Sequence, residues 1–268
     1  MIANGRMYSV TPAAATGWKR LLREVYRRAS VEGEVIDHPA PAPLEGLWQR
    51  PDLAGVFMCG LPFALGLFPV VAVAVPVPLH SLADGPGSYR SRLIVARHAP
   101  YRQLPETFGR RLAFTNRESY SGYHALRFHL LPYRQPGGKR LYRQTVGPLI
   151  TPRRVVEAIA NGLADIGPVD SYAFDLLAHD APELMEKVRV IDHTAPAPMP
   201  LLVASASLPP AALASLQRAF VDLSSDSGAA PLLAALQLQG FNVPDPQDYQ
   251  LLAQRAAAAE QAGYPHLR

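Results

Sequence analysis

Residues 116 to 131, NRESYSGYHALRFHLL, gather Ser119, Tyr120, Ser121 and Gly122 at the point where an apolar helical pattern begins. One serine there is ordinary, because a hydroxyl at a helix start satisfies a backbone N–H that the helix leaves without a partner. A cap accounts for one serine and leaves the second serine, the tyrosine and the glycine to be explained. Covalent catalysis fits poorly. SYSGY lacks the flanking glycines of a nucleophile elbow, and no Walker loop or G-x-G-x-x-G fingerprint stands in a strand-to-helix setting. Eight histidines are scattered without an H-x-x-x-H pair on any predicted helix, which argues against a histidine zinc site. Cys59 is the single cysteine, so an intrachain disulfide and cysteine metal clusters are both excluded. With no basic neighbour in sequence, its thiol reads as a small buried hydrophobe. Asp170, in GPVDSY, opens a helical stretch and would serve as its N-cap. Arg90 beside Tyr89 reads as a solvated arginine.

The elements that must position these residues are written in a chain of 268 residues, 49% hydrophobic and 18% charged, with a formal net charge of +4. That composition fills one large core or two ordinary ones and excludes disorder. Mild basicity suits a small anionic ligand, and no run of Lys/Arg is long enough to track a nucleic-acid backbone. The longest apolar run, Leu61 to Leu79, is broken by Pro62, Pro69, Pro76 and Pro78. It predicts a buried helix followed by a buried strand, without membrane insertion. MIANGRMYSV carries no apolar h-region of a secretory leader, so the expected location is the cytoplasm, or the periplasm if a leader was removed.

Short β-like runs alternate with helical patterns almost from end to end, predicting an α/β fold with largely parallel sheet. RMYSV (6–10) reads as the first strand, followed by a helix with Trp18, Leu21, Leu22 and Val25 on one face. EVIDH and AGVFMCG read as further strands, the second ending at Cys59-Gly60 where a helix starts. Such junctions lie at the carboxyl edge of a parallel sheet, where open α/β folds bind ligands. A second series runs from GSYRSRLIVAR through RRLAFTN, SGYHALRFHLL, KRLYRQTV, TPRRVVEAIANG and ADIGPVD to VRVIDHT, with Thr151-Pro152 and Gly162 bounding one helix. LLVASA follows as a strand, and from Leu208 onward helical patterns dominate, AAPLLAALQLQG among them. No repeat of fixed period occurs. Two Gly/Pro-rich connections, LADGPGS and TAPAPMP, bracket the middle third, which predicts residues 89–191 as a lobe inserted into a discontinuous lobe of 1–88 plus 192–268.

Several of these segments, in this order, resemble one family. MY in the first strand, PDL before a buried strand ending in CG, GSYRS, SYSGYHALR, NGLADIGPVD and PAPMPLLVAS are similar to the phosphate/phosphite/phosphonate substrate-binding proteins of ABC transporters, the PhnD-like family. The resemblance spans about 200 residues, and the order and spacing of its motifs are more specific than any one of them. It implies the type II periplasmic-binding-protein fold, two α/β lobes with a ligand cleft between them, and a non-catalytic protein that binds a small oxyanion.

It also implies a use for the leftover residues. In that family an S-x-S-G turn at a helix N-terminus grips the oxyanion, with converging N–H groups, the aligned peptide dipoles and two rotatable hydroxyls as donors. Carried over onto this sequence, the ligand-binding set is Tyr8, Cys59, Gly60, Tyr89, Ser119, Tyr120, Ser121, Gly122, Tyr123 and Asp170. Asp170 matches an acidic residue that meets a ligand amine or a protonated oxyanion. Where many relatives carry histidine in a G-S-H turn, this chain reads VGPLITP, so Pro148 supplies neither a side-chain donor nor an N–H. Implied partners are a small anionic ligand and either an ABC permease or, in a sensor role, a partner to which occupancy is reported, the protein itself being a monomer without cofactor, metal or nucleic acid. Two other readings stay open at this point: an enzyme of small-molecule metabolism built on the same fold, and a ferric-ion binder using paired tyrosines.

Overall fold

The computed structural model describes residues 1–79, 85, 87–134 and 140–267. In chain order its elements are β1 (Ile2–Asn4), α1 (Pro12–Ala29), β2 (Glu34–Val35), α2 (Glu45–Trp48), β3 (Leu53–Met58), α3 (Gly60–Ala64) and β4 (Val70–Pro78). There follow β5 (Ser88–Tyr89), β6 (Ser91–Ala96), β7 (Arg111–Ala113), a π-helical turn (Tyr120–His124) running into α4 (Ala125–His129), β8 (Gln144–Val146), α5 (Pro152–Ala160) and β9 (Gly167–Asp170). Then come α6 (Ser171–Asp180), α7 (Pro182–Met185), β10 (Val188–His193), β11 (Ala197–Pro198), β12 (Leu201–Ser205), α8 (Pro210–Val221), α9 (Ala230–Ala235), β13 (Leu238–Asn242) and α10 (Gln250–Gln261). Two compact units result: Met1–Ser88 with Pro198–Gln250, and Tyr89–Ala197 with Leu251–Arg268.

The first unit is built on one sheet in the order β13-β4-β12-β3-β1-β2. β3 is buried along its whole length, as a strand covered on both faces must be. α1 begins where the Thr11 hydroxyl accepts the Ala14 N–H at 3.0 Å with Pro12 in the first turn, and it stops at Ser30, which is left-handed at φ 52°. Its apolar stripe sets Trp18 edge-on to Phe57 (4.8 Å between ring centroids) and Phe241 (6.2 Å). Gly17 on that stripe lets α1 approach Leu236 closely, since a Cβ there would come within 2.9 Å of the end of the Leu236 side chain.

The second unit holds a three-stranded sheet in the order β10-β6-β9 and a parallel pair, β7 with β8. Leu93, Val95, Leu112, Phe114, Tyr123, Leu126, Ile166, Tyr264 and Leu267 are buried together in one core. α5 opens on Thr151, whose hydroxyl accepts the Arg154 N–H, with Pro152 next, and Gly162 follows it at φ 69°.

Four expectations are corrected. RMYSV is not a strand: β1 lies earlier, at Ile2–Asn4, because the Asn4 side chain accepts the Arg6 N–H at 2.9 Å and turns the chain into a short 3-10 segment, Arg6–Tyr8. The sheets are mixed rather than largely parallel. β2 and β3 pair parallel with β1, but β12 runs antiparallel between β3 and β4, and both partners of β6 are antiparallel. Apolar runs report burial; strand direction is set by connections, and β12 re-enters the first unit against β3 and β4. LQLQG is not helical, because Gln237 turns left-handed at φ 53° and Leu238–Asn242 then runs as β13. Residues 251–267 pack in the second unit instead of with 1–88, since Tyr264 and Leu267 fill its core. Of the two Gly/Pro-rich connections, LADGPGS falls mostly outside the described residues, and the KRLYRQTV run, which begins at the undescribed Lys139, is strand only at its end.

Candidate functional site

In the first unit, Tyr8, Cys59 and Gly60 lie near one end of β3. Tyr8 is not a strand residue but ends the 3-10 turn after β1, 1% exposed, with its ring edge-on to Phe57 at 5.0 Å. Cys59 caps α3 from extended backbone with its thiol buried, and Gly60 is the first residue of that helix. The predicted strand-to-helix junction is therefore present, with an antiparallel neighbour, β12, on one side.

Seven of the ten candidates belong to the second unit: Tyr89, Ser119, Tyr120, Ser121, Gly122, Tyr123 and Asp170. Ser119 is extended (φ −72°, ψ 127°), and its hydroxyl accepts the Gly122 N–H at 3.0 Å. The cap reading of one serine thus holds, and it leaves the Ser119 O–H proton still able to donate. The first backbone bond of the turn runs from the His124 N–H to the Ser119 carbonyl at 3.2 Å, a five-residue step, so among the described residues the Ser121 and Tyr123 amides ahead of it gain no acceptor from the helical ladder, while the Gly122 amide is taken by the Ser119 hydroxyl. Among the hydrogen bonds of the described residues, none involves the Ser121 hydroxyl. Gly122 is under Thr115: a Cβ would fall 1.8 Å from the Thr115 hydroxyl and 2.9 Å from its Cβ, so only glycine lets strand end and turn meet.

A hydrogen bond from β6 reaches this turn. The Ser91 hydroxyl, at the start of β6, donates to the Ser121 carbonyl at 2.8 Å, and the Ser91 N–H donates to the Thr194 hydroxyl at 3.0 Å. Ser91 faces Asp170 across the β6–β9 ladder, which brings Asp170 to the same sheet edge. The Asp170 carboxylate caps α6, one oxygen accepting from the Tyr172 and Ala173 amides at 2.9 and 3.0 Å, with the residue 4% exposed. Tyr89 is buried two residues before Ser91. Arg90, expected to be solvated, is half-buried and donates to the Thr194 carbonyl at 3.3 Å.

The loop carrying Pro148 docks on the same strand end, the Leu149 and Ile150 amides donating to the Phe114 and Thr115 carbonyls. Ile150 is held at φ 71°, a left-handed conformation that costs a β-branched residue on the order of 1–3 kcal/mol. Burial, then the Arg127 charge, pushes the His124 imidazole down to about 4. Its Nδ1 and the Thr115 hydroxyl are buried without a hydrogen-bond partner among the described residues. Burial and then the Asp170 charge drive the Tyr172 phenol well up.

Sequence reasoning passed over Ser91, Thr115 and Arg255. A serine at a buried position of an apolar strand is the signal that Ser91 gave. Arg255, in an alanine-rich helix, gave none: its guanidinium donates to the Tyr120 phenol at 3.4 Å and the Pro196 carbonyl at 2.6 Å.

Residues 56–249 match the family model for the periplasmic phosphonate substrate-binding protein of ABC transporters. Curated protein sequences give no match. Among solved structures, a binding-protein component of an ABC phosphonate transporter from Pseudomonas aeruginosa is similar at TM-score 0.81 and 17% identity, over 98% of this chain and 87% of that one. A PhnD protein from Prochlorococcus marinus in complex with methylphosphonate gives 0.79 and 13%, over 97% and 98%. A Xanthomonas citri protein bound to ATP gives 0.66 and 20%, over 100% and 99%. At these identities the likeness establishes the two-unit fold of this class.

Proposed function

The chain belongs to the phosphonate substrate-binding family of ABC transporters, whose members are periplasmic and non-enzymatic, and we propose that this member takes a small phosphorus oxyanion at the Ser119–Gly122 turn. The observation that carries the reading is the combination at that turn: a capped, five-residue first closure with amides ahead of it, and a Ser121 hydroxyl outside the internal hydrogen-bond network of the described residues. N–H groups and hydroxyls converging at a helix start favour a compact anion. A tetrahedral phosphonate, phosphite or phosphate offers several oxygens to such a fan of donors, and each charge-assisted bond is stronger than a neutral one.

Ser119 and Ser121 are proposed as hydroxyl donors, Gly122 as the point of close backbone approach, and Tyr89, Tyr120 and Tyr123 as the aromatic walls. Asp170 is first a helix cap. As a carboxylate at the same sheet edge it would favour a ligand carrying an amine or a P–OH proton over a fully ionised anion. The similar structure at TM-score 0.79 holds methylphosphonate, which favours a phosphorus oxyanion over the malate held by a structure at 0.64. Delivery to an ABC permease is the role proposed for the loaded protein.

Calorimetric titration with phosphate, phosphite, methylphosphonate and ATP, with malate as a carboxylate control, tests this directly. Saturable heat with at least one phosphorus oxyanion is expected. Binding of malate alone, or of none of the five, would overturn the reading.

A further inference from the structure

The two tyrosines that flank Ser121-Gly122 both end on the segment 250–267, more than 130 residues further along the chain. The Tyr123 phenol accepts the Leu267 N–H at 3.2 Å, and the Tyr120 phenol accepts from Arg255 at 3.4 Å. Arg255 has three other attachments to the same unit: it is carried by α10, donates to the Pro196 carbonyl at 2.6 Å and lies 5.5 Å over the Phe128 ring. Pro196 stands immediately ahead of β11, where the chain leaves the second unit. Arg127, on α4 directly after the turn, closes the arrangement by donating to the Ala256 and Pro265 carbonyls at 2.6 and 2.8 Å.

From this we infer that Arg255 and the Leu267 amide are positioning groups for the Ser119–Gly122 turn, acting through the Tyr120 and Tyr123 phenols. A five-residue closure is a looser start to a helix than an α-turn, because each of its bonds fixes more backbone. The turn needs outside support to hold Ser121 at one place. Ser91 supplies it at the backbone carbonyl, and the phenol ties supply it at the ring ends. A phenyl ring is a rigid lever, so fixing its hydroxyl fixes the direction of its Cα–Cβ bond and, with two such levers on either side, the hydroxyl and amides between them. Donors held to within a few tenths of an ångström bind a small anion without paying to order themselves.

The inference rests on the anion reading of that turn, and its test separates the two. Tyr123→Phe removes one acceptor and keeps the ring, while Arg255→Met removes both donated bonds and keeps an apolar stem. In ligand-free full-length protein, amide hydrogen exchange of peptides covering 117–125 is expected to rise at least threefold in each variant, with β6 and β9 unchanged. Methylphosphonate affinity is expected to fall roughly tenfold, with further loss in the double variant. Exchange unchanged at the turn, or raised equally across β6 and β9, would overturn the inference, the second outcome marking the ties as general stabilisers. Failure of the wild-type protein to bind any phosphorus oxyanion would overturn the anion reading instead, and the exchange measurement would still report whether segment 250–267 holds the turn.

Discussion

The hydroxyl of Ser91 donates a 2.8 Å hydrogen bond to the carbonyl oxygen of Ser121, tying the start of β6 to the turn proposed to hold the anion. The two serines have different parts, and substitution separates them. Ser121→Ala deletes a proposed direct donor and is expected to weaken phosphonate binding by about 1–3 kcal/mol, the value of a hydrogen bond to a charged group. Ser91→Ala removes only the tether and is expected to cost about 1 kcal/mol of binding. Titration of both variants with methylphosphonate checks the order; equal affinity of wild type and Ser121→Ala would return Ser121 to a plain helix-start serine.

Gly122→Ala is expected to be far more damaging than its one added methyl suggests. The new Cβ would meet the Thr115 hydroxyl at 1.8 Å and the Thr115 Cβ at 2.9 Å, so the turn must move away from β7. Overpacking of this kind costs about 1–3 kcal/mol of stability. Combining it with Thr115→Ala removes the worse contact and keeps the lesser one, so partial recovery of thermal stability is expected. Full stability in Gly122→Ala alone would mean that the turn is not seated against Thr115.

Much of this arrangement was legible in the sequence, for reasons that can be named. Thr11-Pro12 and Thr151-Pro152 announce their helices because a cap and a proline act locally, and the observed α1 and α5 begin there. The whole-buried β3 and the SYSGY helix start were likewise written in nearest-neighbour pattern. Hidden from that pattern were strand direction, which depends on where β12 is inserted, and the docking of residues 251–267, which depends on Arg127 and Tyr123 finding partners far along the chain. RMYSV misled because Asn4-Gly5 is a turn signal placed before an apolar run instead of after it. Asp170 was legible as a cap; what the carboxylate does for a ligand depends on tertiary placement that no local spacing encodes.

Acid should weaken the fold through His124. Its imidazole titrates near 4 in the folded chain against an ordinary value of 6.5, mainly because burial disfavours the charged form. Between those two pH values the unfolded chain binds a proton that the folded chain does not, so stability falls as pH drops from about 6.5 toward 4 and gains nothing from this group above 6.5. His124→Gln, which stays neutral throughout, is expected to flatten that part of the profile. Urea midpoints of both proteins at intervals from pH 4 to 7 decide the matter, and parallel profiles would show that His124 is not the group responsible.

Arg127 offers the sharpest stability test because its guanidinium is 2% exposed and its hydrogen bonds reach two separate carbonyls of segment 250–267, those of Ala256 and Pro265. Arg127→Met leaves both carbonyls without this donor and is expected to cost about 2–4 kcal/mol. Arg127→Lys should recover little, since one ammonium on a flexible stem cannot reproduce a planar fork spanning two acceptors. The chain's two tryptophans, Trp18 and Trp48, both lie in the first unit, so their fluorescence follows that unit while circular dichroism follows both. In urea the dichroism transition of Arg127→Met is therefore expected to begin at lower denaturant than the tryptophan transition, because the lost donors belong to the second unit alone. Coincident shifts of the two signals would mean instead that the units unfold as one and that Arg127 stabilises both.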